Sequence, residues 1–221
     1  MHWLSSLPGR IDNHVHAVGA VGNQWQTFCN QALNDWQTIL VKRARELVPG
    51  GLLVMANFCI DESGRYLGNT GGANMFDTFN ALWEELAADG VISDAEYRAT
   101  AFPQFYKTIE QFGMPFNDPD GAVSREGLRL ELMYTGVTKC PYRAEFDQVG
   151  DPVAFADAYV PTLRSWSEIV FLGGLDSSRP MEQRRKIVDQ FYYNYNAMVR
   201  KEPEKHAMDY VHTYLVAVKE N

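Results

Sequence analysis

The sequence predicts an α/β fold, and three observations carry that reading. An amphipathic helix runs into Pro49-Gly50-Gly51 and then into an unbroken apolar run, Leu52-Leu53-Val54-Met55-Ala56. Helix, turn and apolar strand in that order form one unit of an α/β sheet. Leu128–Thr135 alternates apolar and polar residues, as a strand at a sheet edge does. His212–Lys219 closes the chain with a β-rich run that follows a long helix.

The elements follow in order. Residues 24–47 place Trp25, Phe28, Cys29, Ala32, Trp36, Ile39 and Leu40 at helical spacing. The apolar run at 52–56 predicts a strand buried on both faces, as in a parallel sheet. Residues 60–74 are polar and Gly-rich and predict a loop, whose glycines lack the spacing of a phosphate cradle. A loop just past a strand's C-terminal end is nevertheless where α/β proteins seat ligands. Met75, Phe76, Phe79, Leu82, Trp83 and Leu86 predict a helix over 75–88. Ser93 and Glu96 carry the capping-box pattern of a short helix. Gln104–Phe112 reads as a further helix. Val153–Leu172 places Phe155, Tyr159, Leu163, Trp166 and Val170 on one face, and Pro180–Val199 opens with a proline suited to a helix start. The total is about three strands and six helices, too few strands for a self-sufficient sheet with helices on both faces.

Composition narrows the function classes. The 221 residues are 46% hydrophobic and 13% aromatic, which excludes disorder. Twenty basic against 28 acidic side chains leave a net charge of −8 with no basic cluster, which argues against nucleic acid or an anionic membrane as partner. No apolar stretch approaches the ~18 residues of a membrane span, and the first residues lack the pattern of a signal peptide. Cys29, Cys59 and Cys140 are odd in number and far apart, which predicts reduced thiols and a cytoplasmic protein.

Asp12-Asn13-His14-Val15-His16 is similar to the metal motif that ends the first strand of amidohydrolase barrels. On a strand, His14 and His16 would point the same way. The segment before them is a turn with one apolar residue, and a barrel of that kind needs about 250 residues. A metal-dependent hydrolase using His14 and His16 therefore stands only as an alternative.

A set of segments in fixed order resembles the SABATH family of S-adenosylmethionine-dependent carboxyl and N-methyltransferases. His2-Trp3-Leu4-Ser5-Ser6-Leu7-Pro8 looks like the family's His-Trp-Leu-Ser-x-x-Pro segment. The helix into Pro49-Gly50-Gly51-Leu52-Leu53-Val54, and Ser63-Gly64-Arg65 after it, follow at the family's spacing. Leu82–Ile92 resembles its Met-Val-x-Glu-Gly-Leu-Ile helix end, and Ala101-Phe102-Pro103-Gln104-Phe105 its Phe-Asn-x-Pro-x-Tyr stretch. The resemblance implies the C-terminal part of a Rossmann-like class I methyltransferase sheet with an α-helical cap. It divides the chain into 1–57, the end of the core; 58–127, a cap insertion and core helix; and 128–221, the last strands with a second helical cap segment.

The resemblance also implies S-adenosylmethionine as cofactor, with its binding segment largely absent from this chain, and a small carboxylic acid or purine-like acceptor. Substrate contacts carried over residue by residue fall on His2, Trp3, Met75, Phe76, Phe105, Leu163, Trp166 and Tyr210. Trp3 matches a tryptophan whose indole N–H donates to the substrate carboxylate. Phe105 matches a tyrosine and lacks its hydroxyl. No residue is implied as a general base or metal ligand. A non-catalytic acceptor-binding or dimerisation remnant, with a possible homodimer, is the other alternative. The low strand count further predicts a bare apolar sheet edge and face, and looseness around residues 1–25.

Overall fold

A computed structural model of the chain describes residues 2–220. Helix α1 (Gly22–Glu46) leads through the Pro-Gly-Gly turn into β1 (Leu52–Ile60). Helices α2 (Met75–Ala88) and α3 (Asp94–Ala99) follow, then β2 (Lys107–Thr108), α4 (Ile109–Gly113) and α5 (Ala122–Arg125). Strand β3 (Leu128–Thr138), helices α6 (Pro141–Val149), α7 (Pro152–Gly174) and α8 (Met181–Lys201), and β4 (Tyr210–Lys219) complete the order. No helix among the described residues is long and apolar enough to cross a membrane.

The sheet runs β2-β1-β4-β3. Strand β4 lies between β1 and β3 and is antiparallel to both. It therefore reads as an alternating strand: Val211, Thr213, Leu215 and Ala217 are buried while the residues between them are not. Of these, Val211, Leu215 and Ala217 share a cluster with Trp36, Leu40 and Ala44, spaced four apart on one stripe of α1. The Trp36 indole N–H donates to the Phe112 carbonyl at 3.0 Å, so the buried aromatic keeps its polar group bonded.

Two expectations are corrected here. Strand β1 is not buried on both faces, nor part of a chiefly parallel sheet. It pairs antiparallel with β4 along Leu52–Phe58, and its parallel pairing with β2 spans only Cys59 and Ile60. Leu53 and Met55 pack on the α1 side, whereas Leu52 and Val54 are 59% and 70% exposed. Helix α1 covers one face, and among the described residues no other element covers the opposite one at this end. Leu132 and Tyr134 of β3 are exposed as well, and the register places both on the uncovered side with Val54, Val216 and Tyr214. The result is an open apolar face beside a largely unpaired β1 edge.

Val54→Lys is expected to lower binding of the dye ANS and to raise solubility at unchanged thermal stability, because it places a charge on a bare face. Undiminished ANS fluorescence would show that the face is covered in solution.

Gln104–Phe112, expected as helix, is helical only from Ile109. Gln104 forms a β-bridge with Trp3, and Lys107-Thr108 pair with β1. Thr108 then starts the short helix with a capping box to Gln111. The looseness expected near the N-terminus is also corrected for the described residues. Ile11, Ala17 and Ala20 are buried against Phe28, Cys29, Ala32 and Phe105.

The remaining helices form an aromatic cap. Phe79 and Trp83 of α2, Phe171 of α7, and Phe191 and Tyr195 of α8 pack ring against ring. This layer adjoins the end of the sheet at which β1 finishes and β4 begins, through Phe58, Ile60 and Met208.

Candidate functional site

The site begins with a short backbone link. Leu4 N–H donates to Pro103 O, and Phe105 N–H donates to His2 O, both at 2.8 Å. Trp3 and Gln104 thus lie directly opposite each other in an antiparallel bridge. Directly opposed residues project to the same side, ~4.5–5.5 Å apart at Cβ. Both residues line a cavity of about 210 Å³ that also takes in His2, Phe58, Leu67, Trp166, Met208 and Tyr210.

Each wall has its own support. Phe58 is near the end of β1 and Tyr210 at the start of β4, with their rings edge to face at 5.2 Å. His2 sits edge-on to Phe58 at 4.9 Å and stacks on Tyr106 at 5.5 Å. Trp166 of α7 reaches over from the cap, against Phe79 and Phe102. Leu67 comes from the Gly-rich loop. That loop approaches residues 205–207 so closely that a Cβ on Gly71 would lie 2.3 Å from the Ala207 nitrogen. Its glycines serve this contact and the turns of the loop.

Charge is largely excluded from the cavity. Burial, aided by the nearby positive charge of Lys107, pushes the His2 imidazole down to about 3, so it is neutral at pH 7. Burial lowers His212 too. Just behind Gln104, His16 is fully buried and stacks on Phe76 at 3.8 Å, and burial holds its ring well below the usual range. His16 Nδ1 accepts from Val18 N–H at 3.1 Å, which leaves the proton of the neutral ring on Nε2.

Of the residues implied by the resemblance, His2, Trp3, Trp166 and Tyr210 meet in the cavity wall. Phe105 lies in an adjoining cleft of about 80 Å³ with His16, Trp25 and Tyr106. Met75, Phe76 and Leu163 are buried in the cap core and do not line the cavity. Phe58, Leu67, Gln104 and Met208 were not expected there. Gln104 sits inside a quoted segment, but its partnership with Trp3 spans a hundred residues and leaves no local signal.

His14 and His16 do not form the metal pair of the hydrolase alternative. Both precede the 3₁₀ turn Ala17–Gly19, with His16 as its N-cap, and neither lies on a strand. His14 Nδ1 accepts from the His16 backbone N–H at 2.9 Å, and its Nε2 faces Asp77 at 3.3 Å. Among the described residues no three His, Cys, Asp or Glu side chains cluster to hold a metal.

The residues beside the cavity also do not fit a nucleoside methyl donor. Asp61, the buried acid at the end of β1, is occupied by the Arg65 guanidinium and by the N–H groups of Ser63 and Arg65. The Gly-rich loop closes on itself through Asn69 and on residues 205–207.

A family model described as SAM dependent carboxyl methyltransferase matches residues 1–220. A probable S-adenosylmethionine-dependent methyltransferase of Arabidopsis thaliana is 24% identical over 144 residues, which cover 61% of this chain and 38% of the relative. A loganic acid O-methyltransferase of Catharanthus roseus is 24% identical over 123 residues, 52% of this chain and 33% of the relative. A solved loganic acid methyltransferase with SAH superposes at a TM-score of 0.65 with 17% identity, covering 100% of this chain and 59% of that structure. The alignments thus span well under half the length of the curated relatives.

Proposed function

Because the chain belongs to the SAM-dependent carboxyl methyltransferase family, we propose that it supplies the acceptor side of a methyl transfer from S-adenosylmethionine to the carboxylate of a small organic acid. The observation that carries this reading is the meeting of His2, Trp3, Trp166 and Tyr210, from three distant parts of the chain, in one mostly aromatic cavity.

The chemistry asks for little else. A carboxylate is ionised at neutral pH, so no general base is needed. The residues must orient one carboxylate oxygen and keep water away, which is a positioning task. Neutral donors suit it. They bind the anion without the strong ion pair that would bury its nucleophilic lone pairs. His2, held neutral, adds a stacking surface and no cation. The cavity volume is below the ~300–1,000 Å³ of drug-sized sites, which favours a single-ring or short-chain acid over a purine. No step is assigned to the donor here, since the residues beside the cavity do not cradle it.

The test is calorimetric titration of the chain with 3-phenylpropionate and with its methyl ester. The acid is expected to bind, and Trp3→Leu to weaken it about tenfold through loss of one charge-assisted hydrogen bond. A chain that binds neither this acid nor other small monocarboxylates would overturn the reading.

A further inference from the structure

The bare side of the sheet runs directly into the cavity. Among the residues of the cavity wall, Leu67, Gln104 and Met208 are buried, whereas Trp3 and Tyr210 are 37% and 38% exposed, so its mouth lies at these two. From Tyr210 a file of rings continues along the uncovered side. Tyr210 meets Phe58 at 5.2 Å, Phe58 meets His212 at 4.5 Å, His212 meets Tyr214 at 5.9 Å and Tyr214 meets Tyr134 at 5.2 Å. The register carries the same side on through Val54, Val216 and Leu132 to Leu52 and Val218. No side chain in these rows is charged before Arg129, which Glu131 and Glu220 hold at the far end. Burial keeps the His212 ring below its usual range, so it too is neutral at pH 7.

We propose that this strip seats the apolar tail of the acceptor, so that the acceptor is a medium- or long-chain fatty acid with its carboxylate in the cavity and its chain laid along β1 and β4. The proposal rests on the acceptor-cavity reading above and deepens it. The cavity volume limits only the part of the acid next to its carboxylate. What lies beyond that part leaves through the mouth and meets the strip.

Two features favour a single apolar chain over a protein partner or a second copy. The first is area. From Phe58 to Leu52 the strip is about 20 Å long, and across β1, β4 and β3 it is about 10–14 Å wide, or roughly 200–300 Å². A stable protein interface takes about 800 Å² from each side. The second is charge. Protein interfaces carry a polar rim that fixes orientation, and between Phe58 and Leu52 the strip offers none. An uncharged chain needs none, because its carboxylate is already held at the cavity end.

The test is calorimetry on the whole chain with octanoate and dodecanoate below their micellar concentrations, beside 3-phenylpropionate, which reaches only the cavity. Dodecanoate is expected to bind about tenfold more tightly than octanoate, since its extra methylenes lie on the strip with one side still wet. Val54→Thr combined with Val216→Thr keeps shape and strand preference but sets hydroxyls on the strip. It is expected to cut that gain to about threefold or less, and to leave 3-phenylpropionate binding within about twofold, which also reports folding. Equal affinity for octanoate and dodecanoate, with 3-phenylpropionate still bound, overturns the strip as tail seat and leaves the cavity reading standing. A chain-length gain that survives the double variant also overturns it, because the tail then lies elsewhere. So does dodecanoate binding that Trp3→Leu leaves unchanged, since the strip would then act apart from the cavity. A dimer in sedimentation that shows no chain-length gain makes a second copy the occupant and overturns it as well. Failure of the unaltered chain to bind any of the three acids overturns both the proposal and the acceptor-cavity reading.

Discussion

Trp83→Ala is expected to lower the unfolding free energy by about 3–5 kcal/mol, the cost typical of a large aromatic lost from a closed core. Trp83 is fully buried and packs on Phe171 at 4.8 Å and Phe191 at 5.5 Å, so it joins α2 to α7 and α8. Its indole N–H donates to Thr100 Oγ1 at 2.9 Å, and Thr100 in turn donates to Glu96 O at 2.9 Å. Removal therefore opens a cavity and takes away the donor that Thr100 Oγ1 accepts from, leaving it only its bond to Glu96 O. The neighbourhood cannot collapse to fill it. A Cβ added at Gly174 would already lie 1.9 Å from Thr100 Oγ1 and 2.9 Å from its Cα. Because Trp166 rides on the same helix α7 and lines the candidate cavity, acid binding should fall with stability. Chemical denaturation measures the first effect. A loss below 1 kcal/mol would show that the cap is plastic and not close-packed.

The second large effect concerns Glu96. This carboxylate is buried, yet it is held at about 2, below its usual range. Burial opposes its ionisation. The Arg179 guanidinium, at 2.6 and 2.8 Å, and the N–H groups of Ser93 and Asp176 outweigh that cost. Since the folded-state affinity for a proton is lower than the unfolded one, the contribution is fully present above about pH 4.5. It is lost as the pH falls through 4.5 to about 2. Glu96→Gln is expected to cost about 3 kcal/mol at pH 7, since it leaves Arg179 without its anion and weakens the link between α3 and the turn after α7. The cost should shrink toward pH 2. Denaturation of both proteins at pH 7 and pH 3 checks this. A difference that does not depend on pH would mean that Glu96 is not the titrating partner.

Some of this was legible in the sequence because it rests on local chemistry. The helix at 22–46, the Pro-Gly-Gly stop and the strand start at Leu52 follow from spacing and turn residues. So does the capping box at Ser93 and Glu96. The pairing of Glu96 with Arg179, far along the chain, does not. Helix α6 was missed because Pro141–Val149 has no fully buried residue and so no strong apolar stripe. The apolar run at 52–56 predicts a strand buried on both faces because five apolar residues in a row cannot say which of them will be covered.

The candidate site divides in the same way. His2, Trp3, Trp166 and Tyr210 could be carried over from a family pattern, and the fold brings them together. Met75, Phe76 and Leu163 carry the same apolar signal but are buried in the cap, since helical spacing marks a packed face without saying what packs on it. By itself the sequence determined the main helices and strands, the family and the aromatic candidates for the site. These depend on residues within a few positions of one another or on residue kind. Only the tertiary structure decided which face of β1 is bare, which aromatics line the cavity and that Gln104 stands opposite Trp3. Those are matters of register and coverage between distant segments, and a one-residue change in register would turn each of these side chains the other way.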